Sequence, residues 1–426
     1  MARTLTPVDC YALINAIAAE ATGQQSTLQA VDTSTFVSVG ETILRTGTEN
    51  TLNAISVVLG KTFMAVRPYE AKFRIMNALN SGLYANRIRK ISYYSRDAEP
   101  SGAFNTNLYT NHAMGYDNGN NSGNSLPTMW EQNQPVPLEL NFGGRSVWDE
   151  STTIYEDQLQ MAFRDESSFA SFMAGVMTEK GNDIETAKEA FNRAAFLNFV
   201  AGVYDMDQLV STGSVIDLAA GFNAKYGTSY TRAQLLYDHK DEFLEYFIST
   251  VRYISDTLEN RSKKYHWSPT KTIGGTSYSL LRHTPKSKQK MILNSTFVYD
   301  AEATVMPAIF NDQYLKLENF EKVTFWQNEL HPTEIKVTPA IPDTSDPTEQ
   351  TAGSQVIFDY FVGAIYDEDA IMVDYQLDAA YSTPVEARKR YRNIWWHFAR
   401  NAINDFTENA VIFYIGAGAE PEPEEP

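Results

Sequence analysis

Apolar residues recur along this chain in blocks of helical spacing separated by blocks that alternate, and the change of period divides it. At the start, Thr6 reads as an N-cap, Pro7 as the first helical residue, and Leu13, Ile14 and Ile17 as a partial apolar stripe. The run TGQQST breaks that helix, and TENTLNAISVVLGKTF predicts a second, with Leu52, Ile55, Leu59 and Phe63 on one face. RIRKISYYSR then alternates like a strand, and the stretch SGAFNTNLYTNHAMGYDNGNNSGNSLP follows. So rich in Asn, Gly and Ser, it cannot bury a core of its own and reads as an extended arm.

The strongest helical pattern spans 165–205. Phe169, Phe172, Met173, Val176 and Met177 share a phase that Ile184, Phe191 and Ala194 continue. Gly181-Asn182 interrupts it, and Asn182 with Glu185 resembles a capping box. The stripe keeps register across the interruption, which favours one helix of about 40 residues, roughly 60 Å long. A further helix is expected within 231–262, from Leu235, Leu236, Phe243, Phe247, Val251, Ile254 and Leu258. Beyond it, QKMILNSTF reads as a strand, AEATVMPAIFN as a helix and KVTFWQ as a strand. A polar loop at 338–354 precedes strands QVIFDYF and AIMVDYQL. YRNIWWHFARNAINDFTENAVIFYIG reads as two apolar strands around a polar turn, before an acidic, proline-rich tail. There is no internal repeat. The expected class is α+β.

Composition narrows the function. The chain has 426 residues, 43% hydrophobic and 21% charged, too long for one ordinary core and too apolar to be disordered. Its net charge of −18 argues against a protein whose main work is gripping nucleic acid. One cysteine, Cys10, excludes a disulfide framework and a multi-cysteine metal site. No run approaches 18 apolar residues, so no membrane span is expected, and the first residues do not resemble a secretory signal. The charge is uneven. Residues 261–290 carry eight cations (Arg261, Lys263, Lys264, Lys271, Arg282, Lys286, Lys288 and Lys290) and no acid, whereas 291–380 hold 16 acids and 3 bases. Complementary surfaces meeting within a chain or between copies, or simply a solvated loop beside an acidic domain, would each account for this.

Candidate chemistry is sparse. His112, His239, His266, His283, His331 and His397 are scattered, with no paired-ligand spacing. LGKT at 59–62 ends like a phosphate loop but lacks the first glycine, and Gly416–Gly418 lacks the rest of a dinucleotide fingerprint. YDNGNNSGN holds only Asp117 where a calcium loop needs alternating acids. No catalytic, cofactor-binding or metal-ligating residues are assigned, and no cofactor or small-molecule substrate is expected. Aromatics and carboxylates leave open a carbohydrate-binding module or glycosidase.

Three blocks carry a resemblance to a known family. FRDESSFASFMAGVMTEKGNDIETAKEAFNRAAFLNFVAGVY, PKSKQKMILNSTFVYDAEATVMPAIFNDQYLKLENFEKVTFW and EARKRYRNIWWHFARNAINDFTENAVIFYI, in that order, resemble the spine helix, axial-domain unit and returning strand of tailed-bacteriophage major capsid proteins. That is the Hong Kong 97-type fold, and the resemblance is greatest to the major head proteins of small podophages. It implies an N-terminal arm over 1–66, an extended loop over 67–160, a peripheral domain over 161–278 with return strands at 385–416, an axial domain over 279–384 and a tail over 417–426. It further implies hexamers and pentamers closing into an icosahedral or elongated shell around double-stranded DNA, without specific DNA binding. Virion localisation follows, with assembly in the bacterial cytoplasm and a portal, scaffolding and decoration proteins as partners. Some relatives crosslink a loop lysine to an asparagine; Lys72 and Lys90 lie in the region, but no matching pattern is present. The basic stretch is expected to face another copy's acids rather than DNA. Another virion component, of tail or decoration type, is the alternative.

Overall fold

The computed structural model describes residues 7–22, 29–45, 54, 77–79, 87–95, 135–143, 146–155, 158, 161, 166–273, 276–302, 320–345 and 349–418. The chain opens with α1 (Pro7–Thr22), as its sequence predicts, and α2 (Thr33–Arg45), which the sequence reading passed over. The Asp32 carboxylate accepts from Thr35 N at 2.8 Å, and Phe36, Val39 and Ile43 form a buried stripe. That stripe packs on Leu13, Ile14 and Ile17 of α1, while Asn15 clamps the connection through both Ala30 N and Ala30 O. The helix expected over 48–63 lies outside the described residues except for residue 54.

Strands β1 (Asn77–Leu79), β2 (Arg87–Tyr93), β3 (Pro137–Gly143) and β4 (Ser146–Tyr155) lead into α3 (Glu166–Val210). At 45 residues, α3 is roughly 68 Å long. It runs unbroken through Gly181-Asn182. The Asn182 carbonyl accepts from Thr186 Oγ1 at 2.8 Å in mid-helix, so the capping box expected there does not form. The helix outruns its expected end by five residues and stops where Asp207 Oδ1 gathers Thr212 Oγ1, Gly213 N and Ser214 N.

After β5 (Val215–Asp217) come α4 (Leu218–Tyr226), α5 (Arg232–Tyr237) and α6 (Lys240–Leu258). The single helix expected in 231–262 is therefore two, parted at Asp238-His239, with a Thr231/Gln234 capping box opening the first. The short hairpin of β6 (Lys271–Ile273) and β7 (Thr276–Tyr278) precedes β8 (Gln289–Asn294) and α7 (Ser295–Glu302). The expected strand thus ends three residues early, because Asn294 Oδ1 accepts from Thr296 N at 2.9 Å and starts a helix at Ser295. The rest of the helix expected from AEATVMPAIFN lies outside the described residues. β9 (Phe320–Val323), β10 (Ile335–Val337), β11 (Ala340–Pro342), β12 (Gln350–Ala352), β13 (Val356–Phe358), β14 (Phe361–Asp367), β15 (Ile371–Ser382), β16 (Tyr391–Asn404) and β17 (Ala410–Tyr414) complete the chain.

Two sheets organise these elements. One has the order β1-β15-β16-β4, the other β5-β17-β14-β8-β9. The two apolar strands read at the C-terminal end, β16 and β17, are parted only by residues 405–409, yet each joins a different sheet. Burial along β16 alternates over Tyr391–His397, where one face is covered, then turns continuous over Phe398–Asn401. Three cores result. Phe196, Phe199, Val200 and Val203 of α3 pack on β14 and Phe406, with Trp326 stacked on Phe196 at 5.5 Å. The N-terminal helices and Ile184 cover Ile394, Trp396 and Phe398. Helices α4 and α6 cover the other side of the five-stranded sheet through Phe222, Phe243, Phe247 and Val251 against Val362, Ile365, Val411 and Phe413.

Candidate assembly surfaces

β2 and β3 pair antiparallel over seven residues, from Arg87 opposite Gly143 to Tyr93 opposite Pro137. The Asn/Gly-rich residues of the extended loop expected from the sequence fall between these two strands in the chain and lie outside the described residues. The inner face of the pair is apolar, with Leu138 and Leu140 buried against Leu280. An ionic knot fixes it to the body. Lys90 Nζ lies 2.5 Å from Asp405 Oδ2 and 2.7 Å from Glu408 Oε1, and Arg282 reaches Glu408 at 3.2 Å and Ser92 Oγ at 2.8 Å. Asp405 Oδ1 accepts from Thr407 N and Oγ1, so the turn offers its carboxylates in one fixed geometry. Burial pulls the Lys90 pKa down, but the two carboxylates outweigh it and hold it above 10.5.

The same turn supports a second polar layer. His266 is buried, its Nδ1 3.0 Å from Lys264 O and 3.1 Å from Asn409 Oδ1, its Nε2 3.2 Å from Leu280 O. Burial holds its pKa below 6.5 despite those carbonyls. Asn409 donates to Thr284 Oγ1, which donates to Asp367 Oδ2. The sequence reading saw residues 405–409 as a polar turn and assigned them nothing. Their partners include Lys90, Arg282, Thr284 and His266, more than a hundred residues away.

Part of the basic stretch is satisfied at home. Lys286 pairs with Asp256 at 2.6 Å, Lys288 with Glu368 at 2.8 Å, and Arg282 with Glu408. For these three the acids lie in the same chain, not in another copy as expected. Lys90, weighed as a crosslinking lysine, is held in the knot. Among the described residues the other histidines do not converge: His239 stacks on Tyr230 at 4.0 Å, His331 pairs with Glu334, His397 lies beside Tyr381, and His283 is exposed, while His112 lies outside the described residues. Among the described residues no three His, Cys, Asp or Glu side chains form a metal-holding group, and no helix is long and apolar enough to cross a membrane. A cavity of about 510 Å³ opens between β3, α3 and the end of β16, lined by Phe142, Phe191, Trp267, Phe406 and three acids. Two of those, Glu139 and Asp405, are tied to Arg89 and Lys90.

The described residues thus form a long helix, two larger sheets and a tethered hairpin. Residues 128–414 match the model of the Phi29-like phage major capsid proteins, and the chain belongs to that family: it is a major capsid protein of a tailed phage, located in the virion. Solved structures similar to it include the capsid of Staphylococcus phage Andhra, with 11% identity, 82% of this chain and 85% of that chain covered, and a TM-score of 0.48. Another is the structure of the head fiber and inner core protein gp22 of bacteriophage P68, at 12% identity, 82% and 86% coverage, and 0.45. A third is the mature capsid of bacteriophage PhiM1, at 8%, 82% and 87%, and 0.42. No curated protein matches the chain.

Proposed function

We propose that copies of this chain join as hexamers and pentamers and close into a Hong Kong 97-like shell around double-stranded DNA, acting through contact alone and without a catalytic centre. The observation that carries this is the capsid-family match across most of the chain. The architecture supports it. In this reading residues 1–66 are the arm, 67–160 the extended loop, 161–278 with 385–416 the peripheral domain, 279–384 the axial domain and 417–426 the tail. The five-stranded sheet takes β5 and β17 from the peripheral part and β8, β9 and β14 from the axial part, so the two share a core. The ends of the loop segment, β1 and β4, are woven into the other sheet, and the reading gives contact with a neighbour to the residues between β2 and β3.

Shell building multiplies modest contacts over many copies. The loop's Asn and Gly residues supply hydrogen-bonding groups and backbone freedom to follow the differing angles of hexamers and pentamers. An excess of 18 negative charges suits a container, because a lysine-studded wall would hold phosphates and slow packaging and ejection. A portal and scaffolding or decoration proteins complete the expected set of partners. Deleting residues 103–125 tests the reading. Folded subunits that no longer form closed shells by negative-stain microscopy are expected, and regular shells from the deletion variant would overturn the role given to the loop.

A further inference from the structure

β4 is an edge. Among the described residues its outer side pairs with nothing, while its inner side pairs with β16 through ten consecutive residues without a bulge. A ten-residue edge spans about 33 Å of unpaired backbone groups, and soluble proteins usually blunt such edges with lysine, proline or a bulge. SVWDESTTIY has no lysine, arginine or proline. It exposes large apolar side chains instead: Val147 at 56%, Trp148 at 53% and Tyr155 at 45%.

We infer that β4 pairs antiparallel with β4 of a second copy across a twofold axis through Ser151, joining two four-stranded sheets into one of eight strands. This rests on the chain assembling with copies of itself. A twofold perpendicular to the sheet keeps each face continuous, so only residues of the same parity can lie opposite one another. With the axis at Ser151, Val147 meets Tyr155 of the second copy, Trp148 meets Ile154, Asp149 meets Thr153 and Glu150 meets Thr152. Every exposed apolar side chain then has an apolar partner, and neither acid faces an acid. Moving the axis to Glu150 sets Glu150 against itself. Moving it to Thr152 sets Glu150 against Ile154 and Asp149 against Tyr155. Like charges directly opposite are unfavourable and apolar cross-strand pairs favourable, so the Ser151 register stands out. Glu150, moreover, already has Lys180 at 2.6 Å to balance its charge.

Cysteine crosslinking reads the register directly. Residues opposite one another on antiparallel strands have Cα atoms about 4.5–5.5 Å apart, within disulfide range. In a Cys10→Ser background, Ser151→Cys shells oxidised under mild conditions should run as dimers on a non-reducing gel. Asp149→Cys shells should stay monomeric, because that register puts Asp149 four positions out of line with its own counterpart. Intact Ser151→Cys shells that fail to crosslink, or Asp149→Cys shells that crosslink equally, would overturn the pairing and leave the capsid reading untouched. Ser151→Cys dimers without shells would keep the pairing and count against the capsid reading.

Discussion

Lys90 and Arg89 are neighbours on β2 with opposite surroundings, and replacing each by methionine makes a controlled experiment. Arg89 meets Glu139 on the surface, both side chains more than a third exposed, so Arg89→Met should cost at most about 0.5 kcal/mol. Lys90 faces Asp405, whose side chain is 1% exposed, and Glu408, and its removal leaves buried carboxylates short of a cation. Breaking a buried pair by removing one partner costs about 3–5 kcal/mol. Arg282 still reaches Glu408, and Thr407 still serves Asp405, so Lys90→Met falls at or just below the bottom of that range, at about 2–3 kcal/mol. The loss falls on the hairpin root. Hydrogen exchange of peptides covering 87–95 and 135–143, in unassembled subunits, should therefore speed up roughly thirty- to a hundredfold in Lys90→Met at about 1.4 kcal/mol per tenfold, and hardly at all in Arg89→Met. Indistinguishable exchange in the two variants would refute the claim that the knot anchors the hairpin.

Two further outcomes follow from the packing. His266 is held neutral by burial while an unfolded chain would take up its proton near pH 6.5, so its contribution is full above that value and declines as pH falls. The urea midpoint of the subunit should drop between about pH 7.5 and pH 5.5, less so in His266→Gln, and equal slopes in the two would count against this origin. At Gly363 in β14 a Cβ would sit 2.1 Å from the Ile292 carbonyl oxygen of the paired strand, backbone that cannot yield. Gly363→Ala should cost about 3 kcal/mol or leave the chain insoluble, and a near-parental urea midpoint would contradict the geometry.

Local pattern carried some of this fold and none of the knot. The long helix was legible because its stripe kept phase through Gly181, a residue that costs a helix only about 1 kcal/mol. Its last turn was not, since Asp207 stops it by collecting amides from 212–214, an arrangement no period announces. The division between α5 and α6 escaped notice because Asp238-His239 contains neither glycine nor proline. The stripe of α2 was present at Phe36, Val39 and Ile43 and would have been found by counting. β16 and β17 were recognisable as strands, but periodicity is silent about which sheet a strand joins. The knot joins residues 315 and 318 positions apart, and its members looked like any solvated charges.

Residues 405–409 therefore work as a mechanical junction. They carry the chain from one sheet into the other, and two of them clasp the base of the hairpin. Were a neighbouring subunit to pull on the hairpin, the load would reach both sheets through the same five residues. It would end either in release of the Lys90 clasp or in a joint shift of both layers, so strain between neighbours would register inside the subunit at this turn.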